Sequence, residues 1–307
     1  MYVTMTNEKQ NKLIQIYLYV CKKYHDVLQY HCVRMSPNDK PRFTDEEILT
    51  IYLFCGSMEQ RFTIKSMYTF IKEYYASYFP KLPSYQTFNY RLNRLASAVG
   101  IFADELLTDY TPSDCDENIR LVDSFPIILS AGRNRKGKVA PEISSKGYCS
   151  TKNMYYFGLK AHVYAAYKKG TIPFPKKIIF TAADENDGTV FKEQLAPKLY
   201  NKVIYADKIY GDKPFYDEKK RTNNIILRTP CKAVKNEAPR TTQTEKASRD
   251  AYSKAVSSVR QPIESFFNWL NEKTTYQRAQ KVRSTAGVLI HIWGKIAIAF
   301  ISLIFNY

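Results

Sequence analysis

Three acidic residues lie within or beside apolar stretches of this chain, where a carboxylate is costly unless something pairs with it or coordinates it. Asp123 interrupts the apolar run 119–125, and Asp207 ends the apolar run 203–207. Glu264 follows later, in an aromatic-rich stretch that reads as a helix. Two aspartates on strands and a later helical glutamate are typical of a cup of hard oxygen ligands for divalent cations.

The charge of the chain indicates what such a site would act on. The 307 residues include 46 Lys and Arg against 29 Asp and Glu, a formal net charge of +17. This balance favours nucleic acid, or an anionic membrane face, as the partner. An acidic site on a basic protein therefore predicts metal-assisted chemistry on a phosphate polymer.

The cysteines argue against a disulfide scaffold or a zinc module. All six are scattered and form no CxxC pair, so we interpret them as reduced thiols. Cys21, His25, His31 and Cys32 could bind zinc in principle, but their spacing fits no common zinc finger.

Two segments of the sequence indicate where in the cell the protein is expected to act. Residues 1–11 lack the apolar core of a signal peptide, which makes the cytoplasm the expected compartment. Residues 288–305 are apolar enough to raise a transmembrane helix, but His291 and Lys295 interrupt them and the length is at the lower limit for a span. We predict a helix packed against the core.

The first 112 residues have helical patterns, with a capping box at Thr44 and Glu47 and a short amphipathic helix over 85–98. One face of that short helix is apolar, and the other carries amides and arginines. Such a mixture suits a recognition helix in a helix-turn-helix domain, although a solvated helix face has the same pattern. The candidate base-reading residues are Gln86, Asn89, Arg91 and Arg94.

Strand patterns begin after a polar segment that contains Pro112. Strands alternate with helices up to two closing helices, which predicts an α/β fold with a mixed sheet flanked by helices. The predicted strands cover 119–129, 154–167, 177–182, 202–206 and 224–227. The sequence thus divides into a helical DNA-binding domain over 1–112 and a catalytic domain over 113–307. If the first and fourth strands are adjacent, Asp123 and Asp207 meet at one edge.

Basic residues near the carboxylates are candidate DNA-phosphate ligands. Arg260 precedes Glu264 by about one helical turn, so both share a helix face, and the guanidinium fork suits a phosphate. Lys208 directly follows Asp207, and Arg133 and Arg135 lie in a basic stretch predicted to be a loop over 133–152.

Three signatures resemble those of DDE transposases from bacterial insertion sequences. They are Leu-Val-Asp-Ser at 121–124, Ala-Asp-Lys-Ile-Tyr-Gly-Asp at 206–212, and the Arg260/Glu264 pair. The resemblance implies an RNase H-like catalytic domain. Ser257 and Asn271 stand where the family's extended signature has Tyr and Lys, which affects contacts that hold the DNA end rather than the triad.

The resemblance implies that Asp123, Asp207 and Glu264 are both the catalytic residues and the metal ligands, with Asp212 as a rival for the second position. The implied cofactor is a pair of Mg²⁺ ions, for which Mn²⁺ is expected to substitute. The implied partners are double-stranded DNA, as transposon ends and target, and a second copy of the chain in a homodimer. We expect no membrane or small-molecule substrate, and a bacterial cytoplasmic, nucleoid-associated location.

The function implied is binding of terminal inverted repeats, followed by DNA cleavage and strand transfer. One alternative is a catalytically silent, sequence-specific DNA-binding protein derived from a transposase. Another is an RNase H-like nuclease or resolvase, which would not need a separate sequence-reading domain. Asn186 and Asp187 are interpreted as a helix cap, and His162 as a structural strand residue or a DNA contact.

Overall fold

The computed structural model of the protein describes residues 7–32, 41–132, 137–150, 152–231, 243–279 and 281–305. The chain divides into two units: Tyr110–Trp269, and Met1–Asp109 together with Leu270–Tyr307. The predicted division into a DNA-binding domain over 1–112 and a catalytic domain over 113–307 stays a prediction. The second boundary, after Trp269, has no counterpart in the predicted division, in which everything after residue 112 forms one domain.

The N-terminal helices begin where the sequence supplies caps. Thr44 and Glu47 form the predicted capping box, in which each side chain accepts the backbone N–H of the other residue, at 3.2 and 2.5 Å. Thr63 and Ser84 cap the next two helices through their hydroxyl oxygens. The bounds are α1 Asn7–Asp26, α2 Asp45–Ser57, α3 Ile64–Tyr74, α4 Tyr85–Arg94 and α5 Ala96–Asp109.

A mixed sheet forms the centre of the second unit, in the order β2-β3-β1-β5-β6, with β4 paired to β3. The strands are β1 Ile119–Ala131, β2 Ser145–Cys149, β3 Met154–Ala166, β4 Phe174–Ala182, β5 Lys202–Ala206 and β6 Ile225–Arg228. β1 pairs antiparallel with β3 and parallel with β5. The predicted α/β class with an RNase H-like mixed sheet is confirmed.

One strand, β2, lies in the basic stretch 133–152, which was predicted to be a loop. β2 pairs antiparallel with the first part of β3, and its residues Ser145 and Cys149 face Gly158 and Met154. The strand is only five residues long, and its sequence Ser-Lys-Gly-Tyr-Cys carries little apolar alternation. Pairing to a neighbouring strand, rather than local pattern, therefore defines it.

Helices flank this sheet. They are α6 Asp187–Val190, α7 Lys213–Asn223, α8 Gln243–Arg260 and α9 Pro262–Thr274. α6 continues as a π-helical turn over Phe191–Leu195, which buries Phe191 and Leu195 against the sheet residues Ile204 and Ala206. The closing helix predicted over 249–272 is thus two helices that meet at Gln261 and Pro262, because proline cannot donate the hydrogen bond that continues a helix.

The last helices, α10 Thr285–Leu289 and α11 Lys295–Phe305, are joined by a π-helical turn over Ile290–Gly294. By length and composition the stretch Thr285–Phe305 could cross a membrane, but 67% of its most apolar window is buried within the protein. It packs against α2, where the Tyr52 hydroxyl donates to the Ile290 carbonyl at 3.2 Å. The prediction of a helix packed against the core is confirmed.

Candidate active site

Asp123 and Asp207 are brought to the same place by a parallel strand pair. The β1–β5 register ends with Val122 opposite Ala206, and each aspartate is the next residue of its chain segment. Asp123 remains within β1, where it lies opposite Val163 of β3. Asp207 follows the last residue of β5 and opens a short 3-10 turn over Lys208–Tyr210. The adjacency of the two strands, on which the predicted site depended, is therefore present.

Arg260, the last residue of α8, links two of the three carboxylates. Its Nη1 lies 2.6 Å from Oδ2 of Asp123, and its Nη2 lies 2.8 Å from Oε1 of Glu264. The Arg260 side chain is 16% exposed and the Asp123 side chain 19%, whereas the Glu264 side chain is 52% exposed. One guanidinium fork thus connects an inner carboxylate to an outer one.

The electrostatics of Asp123 reflect its buried position. Burial raises the pKa of this carboxyl to about 6, against the lowering effects of the Arg260 charge and of the Ser124 N–H. That N–H donates to Oδ1 of Asp123 at 2.8 Å. The negative charges of Asp207 and Glu264 raise the pKa of Asp123 further. Each of the three carboxylates therefore contributes to one negative potential, which a cation would neutralise.

The donors at this place suit a divalent cation in type, since all three side chains offer hard carboxylate oxygens. Among the described residues, however, no group of three or more His, Cys, Asp or Glu side chains lies close enough to hold a metal ion. The Arg260 guanidinium donates instead to one oxygen of Asp123 and to one oxygen of Glu264. Its buried Nε–H has no hydrogen-bond partner among the described residues, which leaves one donor for an additional anionic oxygen.

Asp212, the rival for the second aspartate, has another role. Its Oδ1 accepts the backbone N–H of Phe215 at 3.3 Å, which caps α7. Its Oδ2 pairs with the ammonium of Lys192. The Asp207 side chain makes no capping hydrogen bond to its own turn. Capping explains Asp212 without any metal, and this difference favours Asp207 as the site residue.

A second cluster of polar side chains lies next to Asp123 and was not predicted from the sequence. It consists of Ser124, Lys160, His162 and Asp187. Asp187 accepts from the Ser124 hydroxyl at 2.9 Å through Oδ2 and from Lys160 Nζ at 3.0 Å through Oδ1. Asn186, not Asp187, caps α6, by accepting the Thr189 N–H at 3.1 Å. The sequence offered a partial signal for this cluster. Ser124 directly follows Asp123, and Lys160 lies two residues before His162 on β3, so both partners of Asp187 neighbour residues that the sequence had singled out.

His162 belongs to this cluster. Its Nε2 lies 2.8 Å from the Thr181 hydroxyl, and its Nδ1 lies 3.8 Å from Oδ1 of Asp187. The ring is 2% exposed, and burial lowers its pKa to about 4, against the opposing effect of the Asp187 charge. The imidazole is therefore neutral at pH 7. Its burial between β-strands supports the structural interpretation rather than a DNA contact.

The candidate recognition residues on α4 separate into two groups. Gln86 and Arg94 are exposed and Asn89 is partly exposed. Arg91 is buried at 8% exposure; its Nη2 pairs with Asp45 at 2.6 Å. Its Nη1 donates to the Phe43 carbonyl at 2.5 Å. The expectation that Arg91 contacts DNA is therefore corrected: its position one turn after Phe88 places it at the margin of the buried face.

The remaining basic candidates for phosphate contacts are Lys208, Arg133 and Arg135. Lys208 is exposed on the turn next to Asp207. Arg133 and Arg135 lie outside the described residues, so their expected role as phosphate ligands stays a prediction.

Comparison with known proteins gives one family. The family model described as "Transposase DDE domain" matches residues 114–301, which include all three carboxylates and Arg260. No curated protein matches the chain.

Proposed function

The chain belongs to the transposase DDE domain family, and on this premise we propose that it is the transposase of an insertion sequence. In this proposal it binds the terminal inverted repeats of its element and catalyses Mg²⁺-dependent cleavage and strand transfer of DNA. Its partners are transposon ends and target DNA, and the active complex is a homodimer. Its place of action is the bacterial nucleoid in the cytoplasm.

One observation carries the proposal. The parallel pairing of β1 with β5 sets Asp123 and Asp207 at equivalent positions, and Arg260 connects Glu264 to Asp123. A strand residue, a strand-end residue and a helical residue far apart in sequence thus converge on one negative potential. A structural role alone would not require Asp207 and Glu264 to lie close enough to raise the pKa of Asp123, because holding like charges near a buried carboxyl costs stability.

Asp123, Asp207 and Glu264 would hold the cations. Mg²⁺ favours carboxylates combined with phosphate oxygens and waters, and Mn²⁺ accepts the same ligands. Bound there, two ions would supply activation of the attacking oxygen and stabilisation of the leaving oxygen of an in-line displacement at phosphorus.

The other residues of the site would position the carboxylates and the DNA. The Ser124 N–H orients Asp123 through Oδ1, and Asp187 holds Ser124 through its hydroxyl. Arg260 would give up one or both carboxylate partners to a DNA phosphate, for which its fork and its free Nε–H are suited. Lys208, exposed beside Asp207, would bind a neighbouring phosphate as a point charge.

Recognition of the ends would lie in the helical N-terminal region. The exposed side chains of Gln86, Asn89 and Arg94 on α4 offer amides and a guanidinium for base edges in the major groove. The catalytic region must accept many targets, so its contacts would be mainly to phosphates, which position DNA without specifying sequence.

The test is nicking of a plasmid that carries the element's ends, in Mg²⁺ and in Mn²⁺. We expect Asp123→Ala, Asp207→Ala and Glu264→Ala to abolish nicking while gel-shift binding of the ends persists. Asp212→Ala is the matched control, since it removes a carboxylate that caps α7 and should leave nicking largely intact. Near-wild-type nicking by a triad variant would remove that residue from the site.

The silent DNA-binding alternative predicts a different result. In that case the wild-type chain would bind the terminal repeats but would nick them in neither metal, at any enzyme concentration. Equal loss of nicking in Asp212→Ala and Asp207→Ala, with both variants folded, would show that the second aspartate was wrongly chosen.

A further inference from the structure

A pocket of about 460 Å³ lies in the unit formed by the N-terminal and C-terminal helices, and none of the three carboxylates lines it. Its volume is in the range of pockets that hold small molecules. Polar and basic side chains dominate its wall, and none of the described lining residues is acidic. The lining residues are Phe62, Thr63, Asn271, Thr275, Gln277, Arg278, His291 and Lys295.

Lys295 is the unusual member of this pocket. It stands at the start of the apolar helix α11, and it is only 5% exposed. Its Nζ donates to the carbonyl and to the hydroxyl oxygen of Thr275, both at 3.0 Å. Among the described residues no carboxylate pairs with it. A buried ammonium without an anion is costly, because neutral oxygens replace only part of the lost hydration.

The described residues that line the pocket supply no negative charge either. Burial lowers the pKa of Lys295 to about 7, and no acidic group opposes that effect. Burial also lowers the pKa of His291 to about 3, so the ring is neutral at pH 7. Arg278, which is exposed on the pocket wall, adds a guanidinium cation. The pocket therefore has a positive potential with no counterion among the lining residues.

The backbone at the pocket adds to this preference. Thr63 is the N-cap of the 11-residue helix α3, and its Oγ1 accepts the Ser66 N–H at 3.3 Å. The remaining first-turn N–H groups have no partner within the helix itself. A helix N-terminus favours anions, and here it lies beside the buried ammonium rather than alone.

We propose that this pocket binds a phosphate group, with Lys295 and Arg278 as its cationic ligands and Phe62 as the apolar wall for whatever the phosphate carries. A phosphate would supply the missing counterion and accept the ammonium hydrogen that Thr275 does not take. The proposal is independent of the transposase function, because it uses none of the three carboxylates. The phosphate could belong to a DNA strand or to a free phosphate monoester, and the same chemistry serves both.

The first experiment measures binding of inorganic phosphate to the full chain by calorimetry and by thermal shift, with chloride at equal ionic strength as the reference. We expect saturable stabilisation of the wild type by phosphate. Lys295→Met, which fills the same space without charge, should weaken phosphate binding about tenfold or more. The matched control is Lys273→Met, an exposed lysine outside the pocket, which should bind phosphate as the wild type does.

A second arm separates the two sources of phosphate. If the pocket takes a DNA diester, Lys295→Met and Arg278→Gln will each weaken duplex binding and reduce its salt slope by about one. If it takes a free monoester, duplex binding will stay unchanged while stabilisation by phosphate is lost. The proposal is overturned if the wild type shows no more effect of phosphate than of chloride, or if Lys273→Met loses as much affinity as Lys295→Met.

A third arm keeps the test valid should Lys295→Met fail to fold. Sulfate keeps its charge between pH 6 and 9, so its affinity for the wild type reports the protonation of the pocket. We expect that affinity to fall as the pH rises above about 7, because Lys295 loses its charge there. His291 stays neutral over this range, a guanidinium does not lose its proton in it, and the remaining lining side chains have no titratable group. A flat profile would contradict the assignment of Lys295 as a ligand.

Discussion

Arg260 Nη1 lies 2.6 Å from Oδ2 of Asp123, across 137 residues of sequence. The two residues come from the end of α8 and from β1, so only the packing of that helix beside the sheet makes the contact possible. The same guanidinium also holds Glu264. Arg260 therefore contacts two of the three carboxylates of the candidate site, and its charge lowers the pKa of Asp123.

Replacing Arg260 should change the titration of Asp123. In Arg260→Gln the charge that lowers the pKa of Asp123 is gone, so the pKa should rise above about 6. Because the folded-state pKa is raised above 3.8, the contribution of Asp123 to stability falls as the pH rises through this interval. The variant should extend that fall to higher pH. Carboxyl ¹³C NMR and unfolding curves from pH 4 to 8 measure both effects.

The control for this prediction is Lys254→Gln, which removes a positive charge from the exposed surface of α8. It should leave the pKa of Asp123 and the pH profile of stability unchanged. An identical pKa for Asp123 in the wild type and in Arg260→Gln would show that burial alone sets it.

Replacing Asp187 should disturb Asp123 indirectly. Asp187→Asn removes the ion pair with Lys160 and weakens the bond from the Ser124 hydroxyl. We expect a loss of about 1–3 kcal/mol in stability, as for other partly buried charged hydrogen bonds. The Asp187 charge raises the pKa of His162, so that pKa should fall below about 4 in the variant. Thermal unfolding and imidazole NMR test the two effects.

Asp184→Asn is the matched control for Asp187, because Asp184 is an exposed carboxylate that accepts the Ser145 hydroxyl at 2.6 Å. It should change neither the His162 titration nor DNA nicking. If Asp187→Asn also left both unchanged, the cluster next to Asp123 would have no influence on the site.

The arginines of α4 should have opposite effects. Arg91→Met removes the guanidinium from a buried ion pair with Asp45, which should cost about 3–5 kcal/mol of stability. Arg94→Ala, at an exposed position, should leave stability within about 0.5 kcal/mol. It should instead reduce the preference for terminal repeats over random DNA by about 1–3 kcal/mol. Denaturant unfolding and competition gel shifts distinguish the two variants.

Gln86→Ala and Asn89→Ala should behave as Arg94→Ala does, since these side chains also reach the solvent. If the triple variant chose terminal repeats as well as the wild type, sequence recognition would lie elsewhere than α4. A preference that survived in a chain without the N-terminal helices would lead to the same conclusion.

Lys295 should give the protein an unusual pH dependence. Burial lowers its pKa from 10.5 to about 7, so between these values the unfolded chain binds a proton that the folded chain does not. Stability should therefore rise as the pH increases from about 7 towards 10.5 in an anion-free buffer. Lys295→Met should abolish that rise, and Lys273→Met should keep it. Urea unfolding at several pH values measures the slope.

Local patterns sufficed for much of the fold. The capping box of Thr44 and Glu47 was readable, because both partners lie within one turn of the helix that they begin. The bounds of β5, Lys202–Ala206, were predicted to the residue from a short apolar run that ends in an aspartate. β2 was missed because its order comes from pairing with β3 rather than from its own residues.

The sequence by itself determined the family, the class of fold and the three candidate carboxylates, because each rests on residue types at fixed spacing along the chain. Only the tertiary structure decided which partner each charged side chain takes. Arg91 and Arg94 are one turn apart on α4, yet one is buried against Asp45 and the other is exposed. Asp187 was predicted to be a helix cap but accepts the Ser124 hydroxyl instead, and the buried Lys295 ammonium donates to the neutral oxygens of Thr275. These outcomes depend on burial and on contacts between distant segments, which set the energy of a charge and are fixed only when the helices and strands pack.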